Sequence, residues 1–104
     1  MPVSIKLVVL YPRPIDEQHF ERIYHAEHMP LMRRLITPPA RTPTYRVRLP
    51  SDAPFYRMAE VHFDTLADLQ AFANSEEGRG ARHSSAAVST GGKPVVLICE
   101  ADVR

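Results

Sequence analysis

The chain has 104 residues, of which 44% are hydrophobic and 24% are charged, the usage of an ordinary globular protein and not of a disordered one. Thirteen Lys and Arg against twelve Asp and Glu leave a net charge of +1, too little to attract nucleic acid or an anionic membrane strongly. We therefore expect one domain over residues 1–104 that binds neither.

The expected compartment follows from one cysteine and a short apolar start. Cys99 is the only cysteine of the sequence, so no internal disulfide can form. The apolar stretch near the start lacks the features of a signal peptide and is far shorter than the ~18 residues of a membrane span. These features predict a cytoplasmic protein.

Strand and helix patterns alternate in the first two thirds of the chain. The β-branched run at 3–11 predicts a strand, and Asp16 is a good N-cap for an amphipathic helix that continues to residue 35. Alternating apolar and polar residues at 44–49 and 55–63 predict two further strands.

The last third of the chain gives weaker signals. A second helix follows residue 63, with Asp64 or Thr65 as its N-cap. The small, polar segment 76–93 is interpreted as a mobile loop with one short helical turn around residues 79–87. A final apolar run at 94–102 predicts the last strand.

The order β-α-β-β-α-β predicts a ferredoxin-like α+β fold, in which both helices lie on one face of an antiparallel four-stranded sheet. The other face would be left open. By strand alternation we place five apolar residues there, and a second copy is the natural cover, which predicts a homodimer. The five residues are Val8, Leu10, Met58, Val96 and Ile98.

The segment "HAEHMPL" interrupts the first helix. Pro30 removes a hydrogen bond to the carbonyl of Ala26, so we expect the helix to bend or loosen near residues 26–29. Helical spacing puts Glu27 in the apolar stripe that faces the sheet, with His28 on its flank. His28 is therefore expected to be buried beside a pocket, and His25 to be exposed.

Three residues are candidates for chemistry at this pocket. His28 can act as an acid or base, and Tyr24 and Tyr11 can donate hydrogen bonds. Each has a structural alternative: His28 can be tied to a backbone carbonyl freed by Pro30, and the tyrosines can be core aromatics. Glu27 can hold the tautomer of His28, pair with Arg34, or turn to solvent.

Metal and phosphate sites have little support. Glu21, His25 and His28 share a helix face at a spacing that can bind Zn²⁺ or Cu²⁺, but the His-Glu-x-x-His order of zinc proteases is absent. Gly91, Gly92 and Lys93 lack the rest of a phosphate-binding loop. We expect no metal and no cofactor.

Several of these segments resemble the EthD family of small dimeric α+β barrel proteins. The similarity is carried by "LYPRP", by "HAEHMPL" and by "MAEVHFDTLADLQAF". It implies the ferredoxin-like fold, a homodimer, and a pocket between helix and sheet. One departure follows the second helix, where the family tends to carry an Ala-Asp pair and this chain reads Gly80, Ala81, Arg82, His83.

The resemblance also implies two classes of function. Related barrels include cofactor-independent cyclases and lactone isomerases that use pocket His and Tyr residues. This suggests proton transfer by His28 on a small apolar compound, in an isomerisation, cyclisation or dehydration, with Tyr24 or Tyr11 as hydrogen-bond donor. The family is associated with the degradation of ethyl tert-butyl ether, where its type protein accompanies an oxygenase system. A non-catalytic binding or accessory role is therefore the alternative.

Overall fold

A four-stranded antiparallel sheet forms one layer of the protein. The computed structural model describes residues 5–36 and 42–101, so residues 3, 4 and 102 of the predicted first and last strands lie outside the described residues. The spatial order of the strands is β2-β3-β1-β4, and every neighbouring pair is antiparallel. The strands are β1 (Ile5–Pro12), β2 (Thr44–Arg46), β3 (Phe55–Phe63) and β4 (Val95–Glu100). The ferredoxin-like prediction is confirmed.

Helices cover one face of this sheet and enclose the hydrophobic core. They are α1 (Glu17–Ile23), a π-helical turn (Tyr24–His28), α2 (Met29–Leu35), α3 (Leu66–Ala73) and α4 (Glu76–Val88). The core forms two clusters between the helices and the sheet. The buried members are Val9, Tyr11, Phe20, Tyr24, Tyr56 and Val88 in the first cluster, and Met32, Ile36 and Val61 in the second.

Hydrogen-bonding side chains fix the starts of the helices. Asp16 accepts a hydrogen bond from the backbone N–H of His19 at 3.1 Å and caps α1, as predicted. Thr65 caps α3 through the N–H of Asp68 at 3.0 Å. Each cap satisfies a donor that the first turn leaves without a partner.

The register of β4 corrects one prediction. Residues opposite each other in an antiparallel pair point to the same side of the sheet, and Ile98 pairs with Leu7 while Val96 pairs with Val9. Because Leu7 and Val9 pack under the helices, Val96 and Ile98 lie on the helix side. Placing them on the open face was wrong, since the uniformly apolar run of β4 carries no alternation from which its register can be read.

The open face has a different composition from the one predicted. Val95 and Leu97 take the places assigned to Val96 and Ile98, because they pair with Leu10 and Val8. Val8 is only 5% exposed within the single chain. The exposed large apolar side chains on this face are therefore Val95 and Leu97 of β4 and Tyr45 of β2, which pairs with Met58.

The segment predicted as a mobile loop is mostly a helix, α4, of 13 residues. Ser75 caps it by accepting a hydrogen bond from the N–H of Gly78 at 3.0 Å, and Glu76 and Glu77 stand in its first turn, where negative charge is favourable. Its small residues and two glycines give little helical periodicity, which is why the prediction failed.

Among the described residues, no helix is long and apolar enough to span a lipid bilayer.

Candidate functional site

The helix that begins at Asp16 changes its hydrogen bonding immediately before Pro30. The backbone N–H of Met29 donates to the carbonyl of Tyr24, five residues back, so residues 24–28 form a π turn. Proline cannot supply the next N–H, and the wider turn accommodates that loss. The predicted loosening near residues 26–29 is therefore confirmed.

The π turn decides which side chains of "HAEHMPL" face inward. His28 is buried, at 3% exposure, and His25 is exposed, as predicted. Glu27 is exposed, so its expected place in the stripe that faces the sheet was wrong. The prediction assumed 100° per residue through a turn that is wider than an α-helix.

A cavity of about 460 Å³ lies between the sheet and α4, and most of its lining is apolar. Val96 and Ile98 of the edge strand β4 lie on the helix side but remain 49% and 58% exposed. Helix α4 therefore does not cover this strand. His28, Tyr11, Tyr24 and Ser85 contribute the polar groups of its inner wall. The gap between α4 and β4 is its opening.

Four side chains form a continuous hydrogen-bonded chain at this wall. Ser84 Oγ lies 2.7 Å from Nδ1 of His28, and Nε2 of His28 lies 3.3 Å from the Tyr11 hydroxyl. The Tyr11 hydroxyl in turn lies 3.1 Å from Ser85 Oγ. A strand, the π turn and α4 each supply part of the chain, so no single segment of sequence contains it.

The chain Ser84–His28–Tyr11–Ser85 can carry its protons in either direction. When Tyr11 donates to Ser85, Nε2–H donates to Tyr11, and Nδ1 accepts from Ser84. When the direction reverses, Nδ1–H donates to Ser84, and Tyr11 donates to Nε2. In both arrangements His28 and Tyr11 keep their hydrogen bonds, so His28 can exchange one tautomer for the other without losing one.

Burial keeps both His28 and Tyr11 uncharged in this hydrogen-bonded chain. It lowers the pKa of His28 from 6.5 to about 4, because the charged imidazolium loses its hydration. Burial also raises the pKa of Tyr11 well above its usual range, against the opposing effect of the hydrogen bond to Ser85. Near neutral pH, His28 is therefore a proton acceptor, and the Tyr11 hydroxyl stays protonated.

The hydroxyl of Tyr24 is directed to another group of residues. It lies 2.8 Å from Thr44 Oγ1, while its ring packs beside the His28 ring with the centroids 5.0 Å apart. Arg57 stacks on the Tyr24 ring, with its Cζ 4.6 Å from the ring centroid. Nη2 of Arg57 also donates two hydrogen bonds to the Glu21 carboxylate, of 3.0 and 2.9 Å. Tyr24 therefore supports His28 by packing, whereas Tyr11 contacts it through its hydroxyl.

Sequence reasoning missed both serines and Arg57. Ser84 and Ser85 lie in the segment interpreted as a loop, so no helical periodicity indicated that they face His28. Arg57 interrupts the apolar alternation of 55–63 on the helix side, and its ion pair with Glu21 is the reason it can be buried there. That interruption was the available signal for a buried charge.

The three residues weighed as a metal site do not converge. Glu21 pairs with Arg57, and His28 points into the core. His25 is exposed and lies 3.6 Å from Glu21. Within residues 5–36 and 42–101, no cluster of three His, Cys, Asp or Glu has a geometry that could hold a metal ion.

The sheet order, the helices on one face and the cavity between them define an α+β protein of the ferredoxin-like class. Within that class, residues 12–85 match the family model of the EthD domain, and the chain belongs to this family. None of the curated proteins matches this chain.

Solved structures agree with the fold. An ethyl tert-butyl ether d (ethd) family protein from Bacillus halodurans C-125 is 27% identical, with a TM-score of 0.81 over 95% of this chain and 99% of that one. An ethd-like protein from Ralstonia eutropha JMP134 is 24% identical, with a TM-score of 0.65 over 95% and 92%. A dimeric ferredoxin-like protein of unknown function from Jannaschia sp. CCS1 is 20% identical, with a TM-score of 0.66 over 97% and 99%.

Proposed function

We propose that the cavity binds a small, mainly apolar compound and that His28 and Tyr11 move a proton on it without a cofactor. The observation that carries the proposal is the pair of a neutral imidazole and a protonated phenol in contact in the wall of an apolar cavity. General acid–base catalysis needs such a pair within reach of one reacting group.

The chemistry would begin at the long contact between the two side chains. The Tyr11 hydroxyl and Nε2 of His28 lie 3.3 Å apart, longer than a typical hydrogen bond, and Tyr11 donates to Nε2 only in the tautomer of His28 that carries its proton on Nδ1. A substrate carbonyl can accept from Tyr11 while an adjacent C–H gives its proton to His28. Return of that proton from His28 to another carbon gives an isomerisation, whereas its transfer to a hydroxyl that leaves the neighbouring carbon releases water and gives a dehydration.

A binding or accessory role is the second candidate, and one observation favours it. Both ring nitrogens of His28 already have partners in the chain, Ser84 and Tyr11. A histidine held in this way can also have a purely structural role in the wall of the cavity. In that case the protein would bind its ligand for a separate oxygenase.

The biological setting we propose follows the family. The family is associated with breakdown of ethyl tert-butyl ether, and the Bacillus halodurans relative carries that ether in its family name. A branched ether or a product of its oxidation is small and mainly apolar, as the lining of the cavity requires. We therefore infer a degradative pathway as the setting.

We also propose that the protein is a homodimer. Val95 and Leu97 present exposed apolar side chains on the sheet face that carries no helix. The related structures from Jannaschia sp. CCS1 and Thermobifida fusca YX are described as dimeric. Two copies packed with these faces together would remove that surface from water.

Hydrogen–deuterium exchange tests the proton-transfer proposal without knowledge of the natural substrate. Small cyclic ketones and lactones are incubated with the protein in D₂O, and NMR follows deuterium uptake beside the carbonyl. We expect His28→Gln to lower the protein-catalysed rate by roughly 10² to 10⁴. His25→Gln, which changes an exposed histidine on the same helix, should leave the rate unchanged.

The same experiment separates the two candidate functions. Ligands that bind the cavity but exchange no faster than in free solution would support the binding role. Equal rates for the native protein and His28→Gln would refute His28 as the base.

A further inference from the structure

Two cationic side chains lie at the opening of the cavity. Arg82, on the cavity-facing flank of α4, and Lys93, two residues before β4, both line the cavity and are both exposed. The gap between α4 and β4 is the opening, so these residues approach it from its two sides. The rest of the described lining is predominantly apolar.

Arg82 is held in place but retains free donors. Its Nη1 donates to the carbonyl of Ala73, at the end of α3, at 2.7 Å. A guanidinium has five N–H donors, so most of them are free to meet a ligand. Arg82 precedes Ser85 by three residues, about one helical turn, which puts it close to the His28 wall.

No protein carboxylate neutralises this pair of cations within the described parts of the chain. The ion pairs found there involve neither Arg82 nor Lys93. Glu60 is among the residues at the cavity, but it pairs with Val8, so its side chain lies on the opposite face of the sheet, where Lys6 at 3.1 Å and His62 at 2.7 Å bind its carboxylate. The opening therefore carries positive charge that a ligand can complement.

We propose that the ligand carries a carboxylate, which Arg82 and Lys93 bind at the opening while its apolar body fills the cavity toward His28. This inference rests on the proposed function and names its substrate class: a small apolar carboxylic acid in its anionic form. Arg82 is the main specificity-determining residue, because its planar fork matches both carboxylate oxygens.

Matched probes of equal shape test the charge alone. Cinnamate and cinnamamide are titrated into the isotopically labelled protein, and NMR follows the ring signals of His28 to show that each probe occupies the cavity. We expect cinnamate to bind about threefold to tenfold more tightly, the range for a partly exposed ion pair. Arg82→Gln should bring the two affinities to within twofold, and Lys93→Gln should reduce the preference in part.

Arg79→Gln is the matched control. Arg79 lies on the same helix and donates to the carbonyl of Asn74 at 3.2 Å, but it does not line the cavity. It should keep the full preference for cinnamate. Equal loss in Arg79→Gln and Arg82→Gln would reduce the effect to net charge and overturn the inference.

The remaining outcomes distinguish this inference from the proposed function. If both probes move the His28 signals with equal affinity, the cavity binds apolar compounds as proposed and the carboxylate inference is wrong. If neither probe moves those signals, the proposed cavity function fails and this inference fails with it. Stronger salt dependence for cinnamate than for cinnamamide is the expected companion result.

Discussion

At the scale of single residues, His28 is the most informative group in the molecule. A buried imidazole without a carboxylate partner stays neutral, and here a serine and a tyrosine satisfy its two nitrogens. Neutral partners do not favour the charged form as a carboxylate would. The same contacts therefore keep His28 in place and leave it able to accept a proton.

His28 should make stability depend on pH. Its pKa is 6.5 in an unfolded chain and about 4 in the folded protein, so between these values the unfolded state binds more protons. The free energy of unfolding should therefore be lost progressively as pH falls from about 6.5 to 4, by up to about 3 kcal/mol. Urea denaturation across this range measures it.

A comparison of variants isolates the contribution of His28 from that of the carboxylates. His28→Gln should have a flatter pH dependence than the native protein, and His25→Gln should keep the native one. The pKa of Glu60 is lowered, chiefly by its hydrogen bond with His62. Neither substituted histidine contacts Glu60, so Glu60 makes the same contribution in all three proteins. Parallel curves for the native protein and His28→Gln would contradict the assignment.

At the scale of elements, α4 connects the site to the rest of the fold. It provides Ser84 and Ser85 to the hydrogen-bonded chain, and it packs on α2, α3 and the π turn. Its small residues allow close approach to the end of α3. Close packing of this kind makes the position of the serines depend on the fit between two helices.

Two glycines in α4 should respond in opposite ways to alanine. A Cβ at Gly78 would overlap the backbone carbonyl of Phe72, whereas a Cβ at Gly80 meets only the end of the Leu35 side chain, at 3.4 Å. We expect Gly78→Ala to lower the free energy of unfolding by about 1 to 3 kcal/mol. Gly80→Ala should raise it by about 0.5 to 1 kcal/mol, because alanine favours the helix.

Urea denaturation of the two variants provides the measurement, and each variant is the control for the other. Helix propensity alone predicts that both substitutions stabilise the protein. A stabilised Gly78→Ala would therefore show that α3 and α4 are not packed as described.

At the scale of the whole molecule, the two faces of the sheet carry different groups of residues. The helix side holds the cavity and its hydrogen-bonded chain. The other side carries the exposed residues Val95 and Leu97 together with the ion-paired Glu60. Binding and association would therefore occur on opposite sides of one sheet.

Adjacent residues of β4 test the proposed dimer. Leu97 is 44% exposed on the open face, whereas Ile98 is 58% exposed on the helix side. We expect Leu97→Glu to convert the dimer to the 11.8 kDa monomer, because it buries a charge in the interface. Ile98→Glu should stay dimeric in analytical ultracentrifugation.

The outcomes are decisive because the two substitutions are chemically alike. A native protein that sediments as a monomer at micromolar concentration would refute the dimer. A dimer that is broken by Ile98→Glu and kept by Leu97→Glu would place the interface on the helix side of the sheet and refute the open face as the dimer interface.

The sequence by itself determined the order of most elements and the identity of the central histidine. Alternation in 55–63 and the cap at Asp16 are local signals, and local signals survive folding. Pro30 is equally local, since a missing N–H disturbs a helix in any surroundings. From these the fold class, the loosened turn and the burial of His28 could all be predicted.

Only the tertiary structure decided which groups meet His28 and which face of β4 is covered. Ser84 and Ser85 reach the site because α4 packs on the π turn, and small residues give no periodic pattern that predicts this. The register of "VVLIC" depends on its partner strand, because every residue in the run is compatible with either face. Contacts between distant segments set both features, so no local pattern could contain them.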